Sequence, residues 1–200
     1  MRLTAVSAPV PKLKPLLRTK QSKRKLPKNG SHHYDKTSVE EVLSTFEAVA
    51  SPSKDDVEYF LKEKAFDMEN TGQSVTYLML NDEKLKEDKF IIDGYFTLAI
   101  KTFEFRDGLS RNARRWITGK SDDFVPAFLI GQLAKSATAP RGFGKEMLTQ
   151  AIAHIRQAIQ IVGGRLIYLD CKDKLVPYYE NNGFKLLQKQ NDLNQMYLVV

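Results

Sequence analysis

The sequence predicts a mixed α/β domain, and three observations carry that prediction. Apolar residues recur at i, i+3 and i+4 in three stretches, the signature of helices with one buried face. Runs rich in β-branched and aromatic residues, read as strands, lie between and after them, giving the order α α β β β α β α β β. The third observation is Arg141-Gly142-Phe143-Gly144, which joins an apolar strand to the longest amphipathic stretch. A glycine-rich strand-to-helix turn suits an anion, because the backbone can approach closely and the first helical N–H groups point outward unpaired.

Bulk properties narrow the class. Two hundred residues make one domain with some extension. No apolar run approaches the roughly 20 residues that span a bilayer, so a soluble protein with no membrane partner is expected. One cysteine, Cys171, cannot form an intrachain disulfide and suits a reducing cytoplasm. The net charge of +7 is unevenly spread. Residues 1–36 carry ten Lys/Arg and one acid, which leaves 21 bases against 23 acids elsewhere. The chain therefore divides into a basic, proline-containing arm at 1–36 and a nearly neutral domain at 37–200. The arm has little apolar periodicity and the run Lys20-Gln21-Ser22-Lys23-Arg24-Lys25, so it reads as a solvated segment or a phosphate-binding one. Leu13, Leu16 and Leu17 are its candidate anchors on the body.

Ser38-Val39-Glu40-Glu41 forms a capping box, and Val39, Val42, Leu43 and Phe46 follow as an apolar stripe. A second helix starts at Ser53 and buries Val57, Phe60, Leu61, Ala65 and Met68, ending at Asn70-Thr71-Gly72. Strands are predicted over 74–80 and 90–105, separated by a charged loop at 81–89, with a bulge at Asp93-Gly94. Residues 106–123 form a polar insertion with room for a short helix. Its Arg111, Arg114, Arg115 and Trp116 suit a solvated loop or a substrate or phosphate contact. After the strand at 124–135, the helix at 142–162 buries Met147, Leu148, Ala151, Ile152, Ile155, Ile159 and Val162, and Gly163-Gly164 ends it. Strand 165–171, a short helix at 174–182 and strands at 185–188 and 196–200 complete the order. His32, His33 and His154 lack metal-ligand spacing, so no metal is expected, and His154 is read as facing outward.

Strand, glycine turn, long helix, strand, then a helix ending in Tyr179-Glu180-Asn181-Asn182-Gly183-Phe184 resembles the Gcn5-related N-acetyltransferase (GNAT) superfamily. The likeness covers about residues 57–186. Phe60-Leu61-Lys62, Gly94-Tyr95-Phe96-Thr97-Leu98, Gln132-Leu133-Ala134 and Val162-Gly163-Gly164-Arg165 bring it nearest to bacterial toxins that acetylate aminoacyl-tRNA. The resemblance implies a mostly antiparallel sheet flanked by helices, and direct acetyl transfer from acetyl-CoA to a primary amine. It assigns Leu133, Ala134 and Lys135 to the pantetheine amides, and Arg141, Gly142, Phe143, Gly144 and Lys145 to the diphosphate. Tyr179 takes the place beside the donor sulfur. The family's usual Gln or Arg ahead of the glycines is replaced by Ala139. This leaves a backbone cradle with one side-chain contact fewer.

A phenol of pKa about 10 is a poor proton source for a thiolate of pKa about 8.5 unless transfer accompanies departure of the sulfur. A general base is not evident: residues 124–135 contain no acid, and Glu104 is a distant candidate. An α-amine of pKa near 8 needs less help than a lysine amine near 10.4, which favours an aminoacyl acceptor. The partners the resemblance suggests are tRNA held by Arg111, Arg114, Arg115 and the arm, a small antitoxin protein, and a second copy of the chain. Two alternatives stay open: a free-standing acetyltransferase of a small amine or peptide N-terminus, and a non-catalytic acyl-CoA or nucleic-acid binding module.

Overall fold

Among the described residues seven strands form one sheet in the order β1-β2-β3-β4-β5-β7-β6. The computed structural model describes residues 13–15, 36–51, 53–87, 89–105, 110–119 and 124–200. Every described neighbouring pair is antiparallel except β4 with β5. The mixed, mostly antiparallel sheet expected from the sequence is the one observed.

β1 (Leu13–Pro15) comes from within the basic segment and pairs with β2, Leu13 lying opposite Met79. Leu16, Leu17 and the run at 20–25 fall outside the described residues. α1 (Lys36–Ser44) begins two residues before Ser38, which therefore lies inside the helix instead of capping it. α2 (Lys54–Tyr59) runs through a π-helical turn at Phe60–Lys64 into α3 (Ala65–Asn70). Leu43, Phe46, Val57, Leu61 and Ala65 bury the predicted stripes against Tyr95. The Tyr95 hydroxyl donates to the Val57 carbonyl at 2.6 Å, and its burial pushes its pKa far up, so it holds α2 as a neutral donor.

β2 (Val75–Leu80) pairs with β3 (Ile92–Glu104), and Asp93 is the extra residue of a bulge where the sequence predicted one. The connection holds a short helix, α4 (Asp82–Lys86), where a loop was expected. Asn81 starts it, its side-chain oxygen accepting the Lys84 N–H at 3.0 Å. α5 (Arg111–Thr118) is the short helix of the polar insertion, capped by Ser110 and closed by left-handed Gly119.

β4 (Phe124–Lys135), α6 (Phe143–Val162) and β5 (Leu166–Cys171) form the crossover. α6 buries Phe143, Met147, Leu148, Ala151 and Ile155 on the sheet. Each such side chain contributes about 1.5–3 kcal/mol when fully buried. Val162, expected in that face, is instead 65% exposed at the last residue of the helix. His154 also departs from its expected place: it is half-buried and stacks on Tyr77 with ring centres 4.4 Å apart. A 3-10 turn at Asp173–Leu175 leads into α7 (Val176–Glu180), and the β6 (Lys185–Gln190) and β7 (Leu193–Val199) hairpin closes the chain. Among the described residues no helix is long and apolar enough to cross a membrane.

Gly94 fixes how closely α6 approaches the sheet. A Cβ there would collide with Met147 Sδ and sit 3.0 Å from the Ala134 carbonyl oxygen. Gly94→Ala should therefore lower the urea midpoint by an amount equivalent to about 1–3 kcal/mol. His154 gives a pH dependence. Burial lowers its pKa, so the unfolded chain binds the proton more readily. Stability from this residue is present above the ordinary histidine value and is lost as pH falls from there through the lowered one. The wild-type melting temperature should drop between pH 7 and 5 more steeply than that of His154→Gln.

Candidate functional site

β4 and β5 are hydrogen-bonded neighbours only at Phe128 with Ile167 and Leu129 with Tyr168. Past that point β4 continues alone on this edge for six residues. The divergence follows a bulge in β4: Thr97 pairs with Gln132 and Leu98 with Ile130, which leaves Gly131 unpaired. The Thr97 hydroxyl accepts the Gln132 N–H at 2.9 Å, satisfying a group that the interrupted ladder leaves over. Ser136 N–H donates to the Asp93 carbonyl at 2.8 Å, so residues 134 and 136 turn their backbone groups toward β3. Leu133 and Lys135, one residue out of phase, turn theirs into the gap.

One cavity of about 310 Å³ fills this gap. It gathers Leu133, Ala134 and Lys135 from β4, Gly142, Gly144 and Lys145 from the turn, and Tyr178 and Tyr179 from α7. Three segments distant in sequence thus meet at one cavity. Within this set the roles differ. Ala134 spends its backbone groups on β3 and its methyl on the core. Leu133 offers both N–H and C=O to the gap, whereas Lys135 offers its N–H alone, since Val49 N–H already donates to its carbonyl at 3.0 Å. Ala48 and Val49 line the outer wall. Glu58 holds them there, accepting the Ala48 N–H at 2.8 Å. That bond, aided by the ammoniums of Lys54 and Lys62, keeps the Glu58 carboxyl below its usual range.

Gly142 opens α6 in the left-handed region, φ 88°, where a side chain would be strained. Among the described residues the N–H groups of Arg141, Gly142 and Gly144 find no protein acceptor, so the turn presents donors to an anion. Phe143 departs from the site. Its ring is buried in the core and its N–H donates to the Pro140 carbonyl at 3.3 Å, so it anchors the turn instead of lining the cavity. Arg141 and Lys145 are exposed cations at the rim. Ala139, the residue in place of the family's Gln or Arg, packs its methyl in the core, and its carbonyl accepts from Lys135 Nζ at 3.4 Å. The cradle is thus made of backbone, with lysine and arginine charge around it.

α7 ends in a Schellman motif that explains the Tyr179–Phe184 signature. Left-handed Gly183 donates to the Glu180 carbonyl at 3.0 Å, and Phe184 N–H reaches the Tyr179 carbonyl at 3.1 Å. The Phe184 ring then packs edge-on against Tyr179, centres 5.8 Å apart. Tyr179 is 7% exposed, and burial, reinforced by Tyr178 and Cys171, drives its pKa far above the ordinary phenol value. It stays protonated at neutral pH, so its hydroxyl is available as a donor and not as a base.

Two residues, one at this cavity and one at a second, carry no signal in the sequence. Tyr178 reads there as a core aromatic. Among the described residues its hydroxyl is buried without a partner, and it faces Gly144, 3.4 Å from where a Cβ on that glycine would stand. Burial pushes its pKa to about 12. The second residue, Asp170, lines a separate cavity on the other face of the sheet. Glu104, the distant base candidate, lies opposite Phe124 at the far end of β3 and lines neither cavity.

Arg111, Arg114 and Arg115 all lie on α5, remote from the donor-side cavity. Ile117 docks the helix on Phe103, Phe105, Leu166 and Tyr168, the sheet face opposite α6. Arg165 Nη2 bonds the Trp116 carbonyl at 3.3 Å, and Lys185 Nζ sits 4.8 Å from the centre of the exposed Trp116 ring.

No family model matches the sequence, and no curated protein matches it. Solved structures do. AtaT complexed with acetyl-methionyl-tRNAfMet is 18% identical with a TM-score of 0.63, covering 78% of this chain and 86% of that one. A tyrosine-to-phenylalanine mutant of KacT gives 18% identity, a TM-score of 0.64 and the same coverages. A corresponding AtaT mutant, bound to the C-terminus of the antitoxin AtaR and acetyl-CoA, gives 18%, 0.60, 78% and 84%. At this identity the likeness to these toxin structures shows a shared fold.

The unpartnered Tyr178 hydroxyl is a cost in the free protein. Tyr178→Phe should raise the urea midpoint of the ligand-free chain by the equivalent of about 1 kcal/mol. A loss of stability would mean the hydroxyl is satisfied after all.

Proposed function

We propose that this chain, built on the GNAT fold, is an acetyl-CoA-dependent N-acetyltransferase whose acceptor is the α-amino group of aminoacyl-tRNA. The observation that carries the reading is the single cavity uniting an unpaired strand edge, a donor-rich glycine turn and a buried neutral tyrosine. Each part matches one part of the donor. Leu133 N–H and C=O and Lys135 N–H suit the amides of an extended pantetheine arm, as an added strand would use them. The N–H groups of Gly142 and Gly144 suit the diphosphate, with Arg141 and Lys145 adding charge and the Tyr178 hydroxyl one more donor. The group supplies an acetyl thioester. Tyr179 hydrogen-bonds the sulfur and delivers a proton as the thiolate departs, the role left to a phenol that does not ionise.

The finer assignment of the acceptor is supported by α5. Its arginines share the sheet face opposite α6 with the second cavity, which suits a phosphate backbone steered to that side. The basic segment at 1–36 fits the same partner by charge. A small antitoxin protein as partner is supported by the AtaR-bound neighbour alone.

Calorimetric titration with acetyl-CoA tests the donor: absence of binding at millimolar concentration would sink the enzyme reading. Tyr179→Phe should lower kcat by about 10²-fold or more with donor affinity kept. Tyr178→Phe should instead weaken donor affinity about 3- to 10-fold and leave kcat alone. Turnover on charged tRNA should fall steeply with added salt, and a flat response would remove tRNA as the acceptor.

A further inference from the structure

The second cavity, about 370 Å³, opens on the α5 face of the sheet. Side-chain alternation along β5 sets its chemistry. Ile167, Leu169 and Cys171 point into the core beneath α6, whereas Leu166 and Tyr168 point to the opposite face, and Asp170 is in phase with them. The cavity adjoins the donor site: Leu129, Gly131 and Gln132 of β4 line one, Leu133 to Lys135 the other, and Ser53 lines both. The two chambers therefore meet at β4 where it leaves β5, the second on the α5 face and the first in the gap, where Val57 and Ala134 line it from that face and Tyr179 from the other.

We propose that this second chamber receives the acceptor as an α-ammonium next to an apolar side chain, and that the Asp170 carboxylate holds the ammonium and takes its proton. The inference rests on the acetyltransferase reading above and identifies the base which the sequence lacks on β4. Phe60, Met68, Leu129 and Leu193 give the chamber its apolar wall. Phe60 belongs to the π-helical turn and stacks on Tyr95, so its position is fixed. The groups around Asp170 are few. Lys101 from β3, Lys172 beyond β5 and Asp56 from α2 line the same chamber, Gln195 of β7 lies opposite Asp170 in the ladder, and Tyr168 and Cys171 flank it on its own strand. β4 contributes only neutral groups. Asp170 is exposed to solvent, yet partial desolvation raises its pKa against the opposing pull of Gln195 and Lys101, which makes it a better base than a free aspartate.

The proton balance closes. The ammonium gives one proton to Asp170, which passes it to solvent. The free amine nitrogen attacks the acetyl carbonyl carbon, the N–C bond forms and the C–S bond breaks. The second nitrogen proton offsets the one that Tyr179 supplies to the departing thiolate. No oxidation state changes.

The test uses the full chain, acetyl-CoA and two acceptors, tRNA charged with methionine and methioninamide. An α-amine has a pKa near 8, so help with its deprotonation matters most below that pH. Asp170→Asn should lower kcat about 100-fold at pH 7, with the deficit shrinking by pH 9 and the KM for acetyl-CoA unchanged. Asp170→Glu should recover part of the rate. Transfer to methionyl-tRNA should also exceed transfer to aspartyl-tRNA. Wild-type rates in Asp170→Asn, a deficit equal at every pH, or no preference for the apolar aminoacyl group would overturn the inference while leaving the acetyltransferase reading intact. If the wild-type chain uses only methioninamide, the tRNA acceptor fails and the same pH series on that amine decides the role of Asp170. No transfer to either acceptor defeats the enzyme reading, and this inference with it.

Discussion

The parting of β4 from β5 is the constraint on which the rest of the site depends. Two hydrogen-bonded neighbours at Phe128 and Leu129 hold the strands together, and the Gly131 bulge then releases β4. A strand freed on one edge exposes N–H and C=O groups that need partners. Here segment 47–49 satisfies one of them through Val49 and Lys135, and the others open onto the donor-side cavity. The same divergence leaves space around β4, so the two cavities lie next to each other, with Ser53 lining both.

Around that gap the fold is rigid where chemistry needs position. Gly94 lets Met147 and Phe143 press the first turn of α6 onto the sheet, which fixes the height of the glycine turn. The Schellman motif at Gly183 fixes the end of α7 and through it the Tyr179 ring. Neither element is held by charge. The charges sit at the rims, where Arg141 and Lys145 edge one chamber and Lys101, Lys172 and Asp170 line the other.

Much of this was legible in the chain. Glycines that require positive φ, at 142 and 183, mark turns whose geometry only glycine adopts readily, so the flanking sequence reads as site architecture. Helical periodicity marked the buried face of α6, because packing imposes it directly. The errors have physical causes as well. The five-residue α4 is too short for periodicity and depends on the Asn81 cap. His154 looks polar in sequence, yet its ring is flat enough to stack on Tyr77. Phe143 lies in the glycine signature but belongs to the core, since the first turn of a docked helix must bury something.

By itself the sequence determined the order of elements, the glycine turn, the tyrosine helix and the near-neutral body with its basic N-terminal segment. These follow from local rules of spacing, capping and backbone freedom. Only the tertiary structure decided which groups share a chamber. Asp170 and Tyr178 gain their roles from strand phase, from divergence of two neighbours and from burial of a hydroxyl beside Gly144. Those are properties of contacts between segments far apart in the chain, and no local pattern encodes them.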